Sequence, residues 1–321
     1  MTGKLIVNIA QLRDGHRAAI AAAASAHGYQ AVFCDTPEAA LAAAGEAEII
    51  FGANAPLLKA APKLRWLCVP SAGAEQYLST ALYASPDALL SNSSGAYGVT
   101  IAEHVIMSAL MLMRRQLDYA DVVGRRGWLR TLPVRSIRDS RVTLLGTGDI
   151  GQEVALRVRA FGPRSVVGVN RSGRNPGDMF DRVVSLDGLD AVLPETDLLV
   201  MSLPGTPETR GIMDEGRLRR LPDDAFLVNV GRGSAIDQAA LEALLRAGHL
   251  SGAALDVFET EPLPPESTLW DCPRLLITPH VAGNMTLGYT VDAIVRLFLE
   301  DFENYCAGRP LKRFVARAKG Y

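Results

Sequence analysis

The sequence predicts an α/β protein built from two doubly wound parallel sheets. Three observations carry that expectation. Short β-branched and Leu-rich runs alternate with helical patterns along both halves of the chain, the signature of parallel strands with covering helices. The run Val142-Thr143-Leu144-Leu145 passes directly into Gly146-Thr147-Gly148-Asp149-Ile150-Gly151. Between the halves, Ser91–Gly98 turns to Ser, Asn and Gly, as expected of a hinge.

The Gly146–Gly151 stretch organises the second half. It is a G-x-G-x-x-G, and Val154, Ala155, Val158 and Phe161 follow at helical spacing. Each glycine has a task in a strand-to-helix turn that binds a dinucleotide. Gly146 permits the tight turn. Gly148 lets a pyrophosphate approach the backbone. Gly151 allows close packing of the helix, whose free N–H groups then face the phosphates. A Gly-rich turn alone fits a plain connection equally well. The second strand-like run at Ser165–Val169 favours the dinucleotide reading.

The first half reads as strands at Lys4–Ile9, Ala31–Cys34, Glu48–Phe51 and Arg65–Val69. Between them lie a helix over Asp14–His27, stopped by Gly28, and one opening at Pro37 with Thr36 as its N-cap. A short helix separates the last two strands. No phosphate-binding fingerprint occurs here. The loops Gly52-Ala53-Asn54 and Ser71-Ala72-Gly73 follow strand ends, where ligands sit in such sheets. After the hinge, one long apolar helix is expected from Thr100 to about Val123, buried and partly set against a second subunit. Further strands are expected at Leu198–Ser202, Phe226–Val230, Gly252–Asp256 and Leu275–Thr278. Helices are expected at Gln238–Ala247, stopped by Gly248, and at Leu287–Tyr305.

Composition narrows the function. The chain of 321 residues has 48% hydrophobic and 21% charged residues and a net charge of −2. That balance suits a soluble globular protein and offers no electrostatic case for nucleic acid or an anionic membrane. Cys34, Cys68, Cys272 and Cys306 are far apart and form no CxxC, so neither disulfides nor a metal site are expected, and a reducing cytoplasm is the expected compartment. With the first strand beginning so early, a secretory signal is not expected, and no apolar run has the length of a membrane span.

Four segments end on strand tips of the second half: Leu203–Thr209, Asn229–Gly233, Asp256–Pro262 and Thr278–Gly283. In a doubly wound sheet such tips converge on the crevice of the glycine turn. Leu203, Pro204, Thr209, Val230 and Gly231, with Gly146–Gly151 themselves, are therefore expected to line the cofactor. A guanidinium, a carboxylate and an imidazole then share the crevice. Arg232 can hold a carboxylate through two parallel N–H bonds. His280 can give a proton to a carbonyl oxygen as hydride arrives. Glu261 can orient the ring and favour its charged form. Taken alone, Arg232 fits a surface ion pair and Glu261 a solvated side chain. His280 stands apart because Pro279 precedes it and Gly283 follows. His16 and His27, on expected surface helices, and His249, beside a turn, are assigned no part in the chemistry, and His104 is read as a packed or interface histidine.

Through these segments the sequence resembles the D-isomer-specific 2-hydroxyacid dehydrogenases. GTGDIG, SLPGTPETRGIM, LVNVGRGSAID, AALDVFETEPLP, LLITPHVAG and NSSGAYGVTIAEHV occur in that family's order, over about residues 91 to 311. The first region matches more weakly, through Pro70-Ser71-Ala72-Gly73-Ala74-Glu75, where Glu75 replaces a frequent Asp. The resemblance implies that Arg232, Glu261 and His280 are catalytic and that Asp256 contacts the nicotinamide carboxamide. It also implies that Ser71, Ala72 and Gly73, with Arg232 and His280, bind the substrate, the backbone around Ala72-Gly73 holding its carboxylate. It implies a Rossmann cofactor domain over 99–283 and a flavodoxin-like substrate domain from 1–98 and 284–321, with a cleft between them that closes on hinges near 98 and 284. A homodimer formed through the cofactor domain and the long helix is implied as well. Formate dehydrogenases carry Gln where this chain has Glu261, which argues against formate. Small glyoxylate or hydroxypyruvate reductases fit best; a transcriptional corepressor of the same fold is the alternative.

The cofactor choice turns on Asn170-Arg171-Ser172-Gly173-Arg174, which follows the second strand of the βαβ unit. An NAD-specific site places an acid there, on the ribose 2′-hydroxyl; this stretch has none. Asn170 and Ser172 can donate to a 2′-phosphate, and Arg171 and Arg174 can add charge-assisted bonds. The alternative is a solvated basic loop. NADP is therefore expected ahead of NAD, with a small 2-keto or 2-hydroxy acid as the other substrate.

Overall fold

The computed structural model describes residues 3–52, 54–318 and 320. The chain divides into two compact units, one running to Tyr97 and resuming at Met285, the other spanning Gly98–Asn284.

In the first unit, β1 (Gly3–Asn8), β2 (Tyr29–Phe33), β3 (Ala47–Gly52), β4 (Trp66–Cys68) and β5 (Leu89–Ser91) form a sheet in the order β2-β1-β3-β4-β5. Every pairing in it is parallel. The helices α1 (Asp14–Ala26), α2 (Pro37–Ala43) and α3 (Ala55–Lys59) connect the first four strands. The order reverses between β1 and β3, the arrangement that opens a crevice beyond the strand ends. Of the expected loop Gly52-Ala53-Asn54, Ala53 lies outside the described residues. Thr36 caps α2 through a bond from the Ala39 N–H, 3.2 Å, with Pro37 at the first helical position. β5 was not expected: it has only three residues, Leu89 is exposed, and period cannot reveal so short a run.

The second unit begins with α4 (Gly98–Met113) and α5 (Gln116–Gly124). The single long helix expected over Thr100–Val123 is thus two helices. Arg115 adopts a left-handed backbone, φ 57°, and its guanidinium bonds Asp118 at the start of α5. The first helix buries one face, including Ile101, Ala102, Val105, Ala109 and Leu112, and packs on the sheet. The second buries no residue, so the expected burial fails there.

The sheet of this unit holds β6 (Arg141–Leu145), β7 (Ser165–Asn170), β8 (Arg182–Ser185), β9 (Leu198–Met201), β10 (Phe226–Asn229), β11 (Gly252–Leu255) and β12 (Leu275–Ile277). Its order is β12-β11-β10-β9-β6-β7-β8, and all pairings are parallel. The direction of winding switches between β6 and β9, which places the glycine turn after β6 at the switch point. β9 and β10 are buried throughout, as strands covered on both faces must be. The helices are α6 (Asp149–Arg159), α7 (Leu189–Val192), α8 (Glu215–Leu218) and α9 (Gln238–Ala247). α9 is capped by Asp237 and ended by Gly248 at φ 80°. β8 also went unforeseen, being a four-residue edge strand without a buried residue.

The chain returns to the first unit as α10 (Gly288–Cys306). Its Phe298 stacks on Phe51 with ring centroids 3.9 Å apart, and on Trp66 at 5.5 Å. These rings fix the last helix to the first sheet. Among the described residues no helix is long and apolar enough to cross a membrane, and no three His, Cys, Asp or Glu side chains cluster as metal ligands.

Candidate active site

The glycine turn carries the geometry a dinucleotide needs. Gly146 has φ 112°, and a Cβ there would lie 2.7 Å from the Ser202 hydroxyl. A Cβ on Gly151 would lie 2.1 Å from the Gly146 carbonyl oxygen, whereas one on Gly148 would meet nothing within 4 Å. Only at Gly148 is the space in front of the α6 N-terminus open, and that is where an anion gains most from the free N–H groups. Thr147 is buried and Ile150 half-buried. Asp149, also half-buried, turns its carboxylate to the Gly98 N–H at the start of α4. Burial raises its pKa, the Gly98 bond opposes that rise, and Glu153 adds to it. The turn fits a dinucleotide pyrophosphate.

Past β7, Asn170 shapes the basic loop. Its amide donates to the Thr147 hydroxyl (2.7 Å) and the Arg174 carbonyl (2.8 Å). Its Oδ1 accepts from the N–H groups of Ser172 and Gly173. The expectation that Asn170 donates to a 2′-phosphate is corrected by this geometry, because one amide hydrogen is spent on Thr147 of the glycine turn and the other within the loop. Ser172 is likewise engaged with Asn170 and the Arg174 N–H. Arg171 and Arg174 remain the cationic groups of the loop. Arg171 lies close enough to Glu208 to help lower the pKa of that carboxyl, after the bonds from its own backbone and from Thr206.

The neighbouring strand tips are built from internal bonds. Thr209 donates to the Pro204 carbonyl (2.6 Å) and accepts from the Thr206 N–H (3.0 Å), which folds Leu203–Thr209 on itself. A Cβ on Gly231 would lie 2.7 Å from the Leu203 carbonyl oxygen, so that loop and the one following β10 touch through backbone. Val230 stays attached to the sheet through its N–H on the Met201 carbonyl, 3.0 Å. Buried Asn229 accepts from the Gly231 N–H (3.0 Å) and donates to the Arg232 carbonyl (2.9 Å). It holds the backbone of Arg232, whose guanidinium bonds the Gly231 carbonyl at 2.7 Å.

Glu261 and His280 meet. The carboxylate Oε2 lies 2.6 Å from the imidazole Nδ1, while Oε1 accepts the Phe258 N–H at 2.9 Å. The His280 side chain is 52% exposed and Glu261 34% exposed, so the pair faces solvent with Nε2 unencumbered by the carboxylate. His280 has φ 54°, a conformation rare outside glycine. Its N–H bonds the carbonyls of Asp256 (2.8 Å) and Thr278 (3.0 Å).

Asp256 holds that loop. Its buried carboxylate accepts the Thr278 hydroxyl (2.6 Å) and the N–H groups of Val281 (2.9 Å) and Ala282 (3.0 Å). Three of about four acceptor positions are filled by the protein, which the resemblance to a carboxamide-binding Asp did not reveal. His104 of α4 joins the group, with Nε2 3.2 Å from the Thr278 hydroxyl. The sequence reading missed this contact; His104 carried no signal beyond a polar residue in an apolar helix. The other histidines each lie against a carboxylate: His16 beside Asp292, His27 beside Glu303 and His249 beside Asp223.

The Ser71–Gly73 loop belongs to the first unit. Ser71 donates to the Gly73 carbonyl (2.6 Å), and the Asn92 amide donates to the Ala72 carbonyl (2.6 Å). Both bonds use carbonyls and leave the Ala72 and Gly73 N–H groups out of the loop's internal pairing.

Comparison with known proteins identifies the family. The family model of the D-isomer specific 2-hydroxyacid dehydrogenase NAD binding domain matches residues 106–282. The glyoxylate/hydroxypyruvate reductase A of Salmonella newport (strain SL254) is 35% identical over 225 residues, 70% of each chain. A family protein of Aeromonas salmonicida subsp. salmonicida A449 superposes with a TM-score of 0.85 at 33% identity, covering 99% of this chain and 100% of that one. An NADPH-dependent glyoxylate/hydroxypyruvate reductase of Sinorhizobium meliloti, in complex with NADP and sulfate, gives 0.80 at 30% identity, again over 99% and 100%. These relatives favour an oxidoreductase over the corepressor alternative. With a dinucleotide turn at the switch point and the family's pattern running through the sheet around it, this chain belongs to the D-isomer-specific 2-hydroxyacid dehydrogenases, oxidoreductases that use a nicotinamide dinucleotide.

Proposed function

We propose that this chain reduces a small 2-keto acid, of the size of glyoxylate or hydroxypyruvate, to the D-2-hydroxy acid, with NADPH preferred over NADH. The observation that carries the reading is the Glu261–His280 pair at 2.6 Å, set near Arg232 by backbone packing of their loops. When bound, the reduced nicotinamide supplies a hydride. Arg232 binds the substrate carboxylate as a fork and so fixes which carbonyl face is presented. His280 delivers a proton from Nε2 to the carbonyl oxygen as its charge develops. Glu261 fixes the ring through Nδ1 and stabilises the charged imidazole before that transfer. The Ser71–Gly73 N–H groups add donors for the substrate carboxylate. The loop cations Arg171 and Arg174, without an acid beside them at position 170, favour the 2′-phosphate of NADPH.

The same reading includes a homodimer. Val123 is 65% exposed and Trp128 88% exposed, and Leu129 and Val134 lie open on the same stretch. Such exposed apolar side chains, close together in the chain, suit a subunit interface.

Turnover of a panel of 2-keto acids with NADPH and with NADH, and the chirality of the product, test the proposal. Faster oxidation of NADPH with glyoxylate or hydroxypyruvate is expected. Absence of turnover across the panel, with the cofactor bound, would overturn it.

A further inference from the structure

The αL backbone of His280 must be held against its own preference, and side chains linked from α4 through Thr278 to Asp256 do so. Asp256 pins the residues after His280 by accepting the N–H groups of Val281 and Ala282. The same carboxylate takes the only hydroxyl hydrogen of Thr278, at 2.6 Å. The contact between His104 Nε2 and that hydroxyl, 3.2 Å, then has a single polarity. Thr278 has no second hydrogen to give, so His104 donates from Nε2–H and Thr278 accepts.

His104 therefore opens a donor chain that converges on Asp256: imidazole N–H to hydroxyl and hydroxyl to carboxylate, the same carboxylate accepting the two amides that follow His280. The two bonds through the Thr278 hydroxyl point the same way, and such a sequence strengthens its members. His104 also brings the nearest basic ring to the Asp256 carboxylate, 4.0 Å away, where a 2% exposed acid has little water to stabilise its charge. Burial lowers the His104 pKa, with the Asp256 charge acting in the other direction. The neutral Nε2–H form makes the same bond, so the chain persists whether or not the ring is charged.

We propose that His104 is a positioning residue for the reaction: through Thr278 and Asp256 it holds the His280 loop in the conformation that presents the imidazole. The inference rests on the reading of His280 as proton donor, and the test separates the two. The variants are His104→Leu, His104→Gln, His280→Ala and the double variant His104→Leu/His280→Ala. Each is measured for kcat and for NADPH binding, with thermal melting to confirm folding.

His104→Leu is expected to lower kcat by about 10- to 100-fold, the cost of misplacing a catalytic group by an ångström or less, with the NADPH Kd changed by no more than about twofold. His104→Gln places an amide N–H where Nε2–H was and is expected to restore most of the loss. In the double variant His104→Leu is expected to add nothing to the loss from His280→Ala, because there is no imidazole left to position. Thr278→Val, which removes the hydroxyl at nearly constant shape, is expected to repeat the His104→Leu result and serves if His104→Leu does not fold. Unchanged kcat in His104→Leu and Thr278→Val, no rescue by Gln, or additive losses in the double variant would each overturn the proposal. Full activity of His280→Ala would instead remove the proton-donor reading, and this inference with it.

Discussion

The backbone of Phe258 runs so close to Gly233 that a Cβ at position 233 would lie 1.9 Å from the Phe258 carbonyl carbon. Arg232 precedes Gly233, and Glu261 grips the Phe258 N–H. One backbone contact thus sets the spacing between the guanidinium loop and the carboxylate of the Glu261–His280 pair. Gly233→Ala must push those loops apart, which is expected to cost about 1–3 kcal/mol by overpacking. Melting temperature and kcat should fall together. An alanine variant with wild-type values of both would mean that the loops tolerate separation.

The roles assigned to the site side chains separate in steady-state kinetics. His280→Ala is expected to lower kcat by about 10²- to 10⁴-fold, the span of general acid catalysis. Arg232→Ala removes a charge-assisted contact to the substrate, at about 1.5–3 kcal/mol, and should act mainly on the keto-acid KM. A His280→Ala variant that changes only KM would reverse the assignment.

Cofactor preference is expected to rest on Arg171 and on the neutrality of position 170. Arg171→Ala should reduce kcat/KM for NADPH by roughly 10-fold or more, given about 1.5–3 kcal/mol for a bond to a charged group, with NADH little affected. Asn170→Asp keeps the acceptor for Ser172 and Gly173 but adds a negative charge, and should move the preference toward NADH. Equal responses of the two cofactors to both changes would count against a 2′-phosphate site.

In the first unit, Glu300 pairs with Lys312 and Arg313, which lower its pKa from 4.5 to about 2, the Lys312 bond first. A carboxyl lowered on folding stabilises the native state above its unfolded pKa, and that contribution is lost as pH falls toward the folded value. Glu300→Gln should therefore reduce the melting temperature at pH 6, with the gap to wild type narrowing below about pH 4.5. The side chain is 35% exposed, so the effect should also shrink in high salt. A gap that is constant from pH 6 to pH 3.5 would show that the ion pairs are not its source.

Trp128, 88% exposed on the stretch after α5, is expected to be covered by a second copy of the chain. Trp128→Glu should convert a dimer to a monomer in light scattering. A wild-type protein that is monomeric at micromolar concentration would remove the dimer from the proposal.

What the sequence by itself determined is local. The G-x-G-x-x-G turn was legible because each glycine answers a short-range demand: a positive φ at Gly146, open space at Gly148, a carbonyl against Gly151. The end of α9 was legible from the Gly248 stop. Arg232, Glu261 and His280 stood out because strand tips of a doubly wound sheet must converge. Tertiary structure decided the rest. The break between α4 and α5 falls at Arg115, where Arg114-Arg115-Gln116 interrupts the apolar run and neither Gly nor Pro marks a stop. The edge strands β5 and β8 are too short to show a period. Asn170 was expected to face a ligand, yet its amide is consumed by Thr147 and Arg174; which partner wins depends on how the loop closes. His104 and Thr278 are 174 residues apart. Their contact follows from the register of β12 and the rotation of α4 on the sheet, and neither quantity is written in the residues near either one.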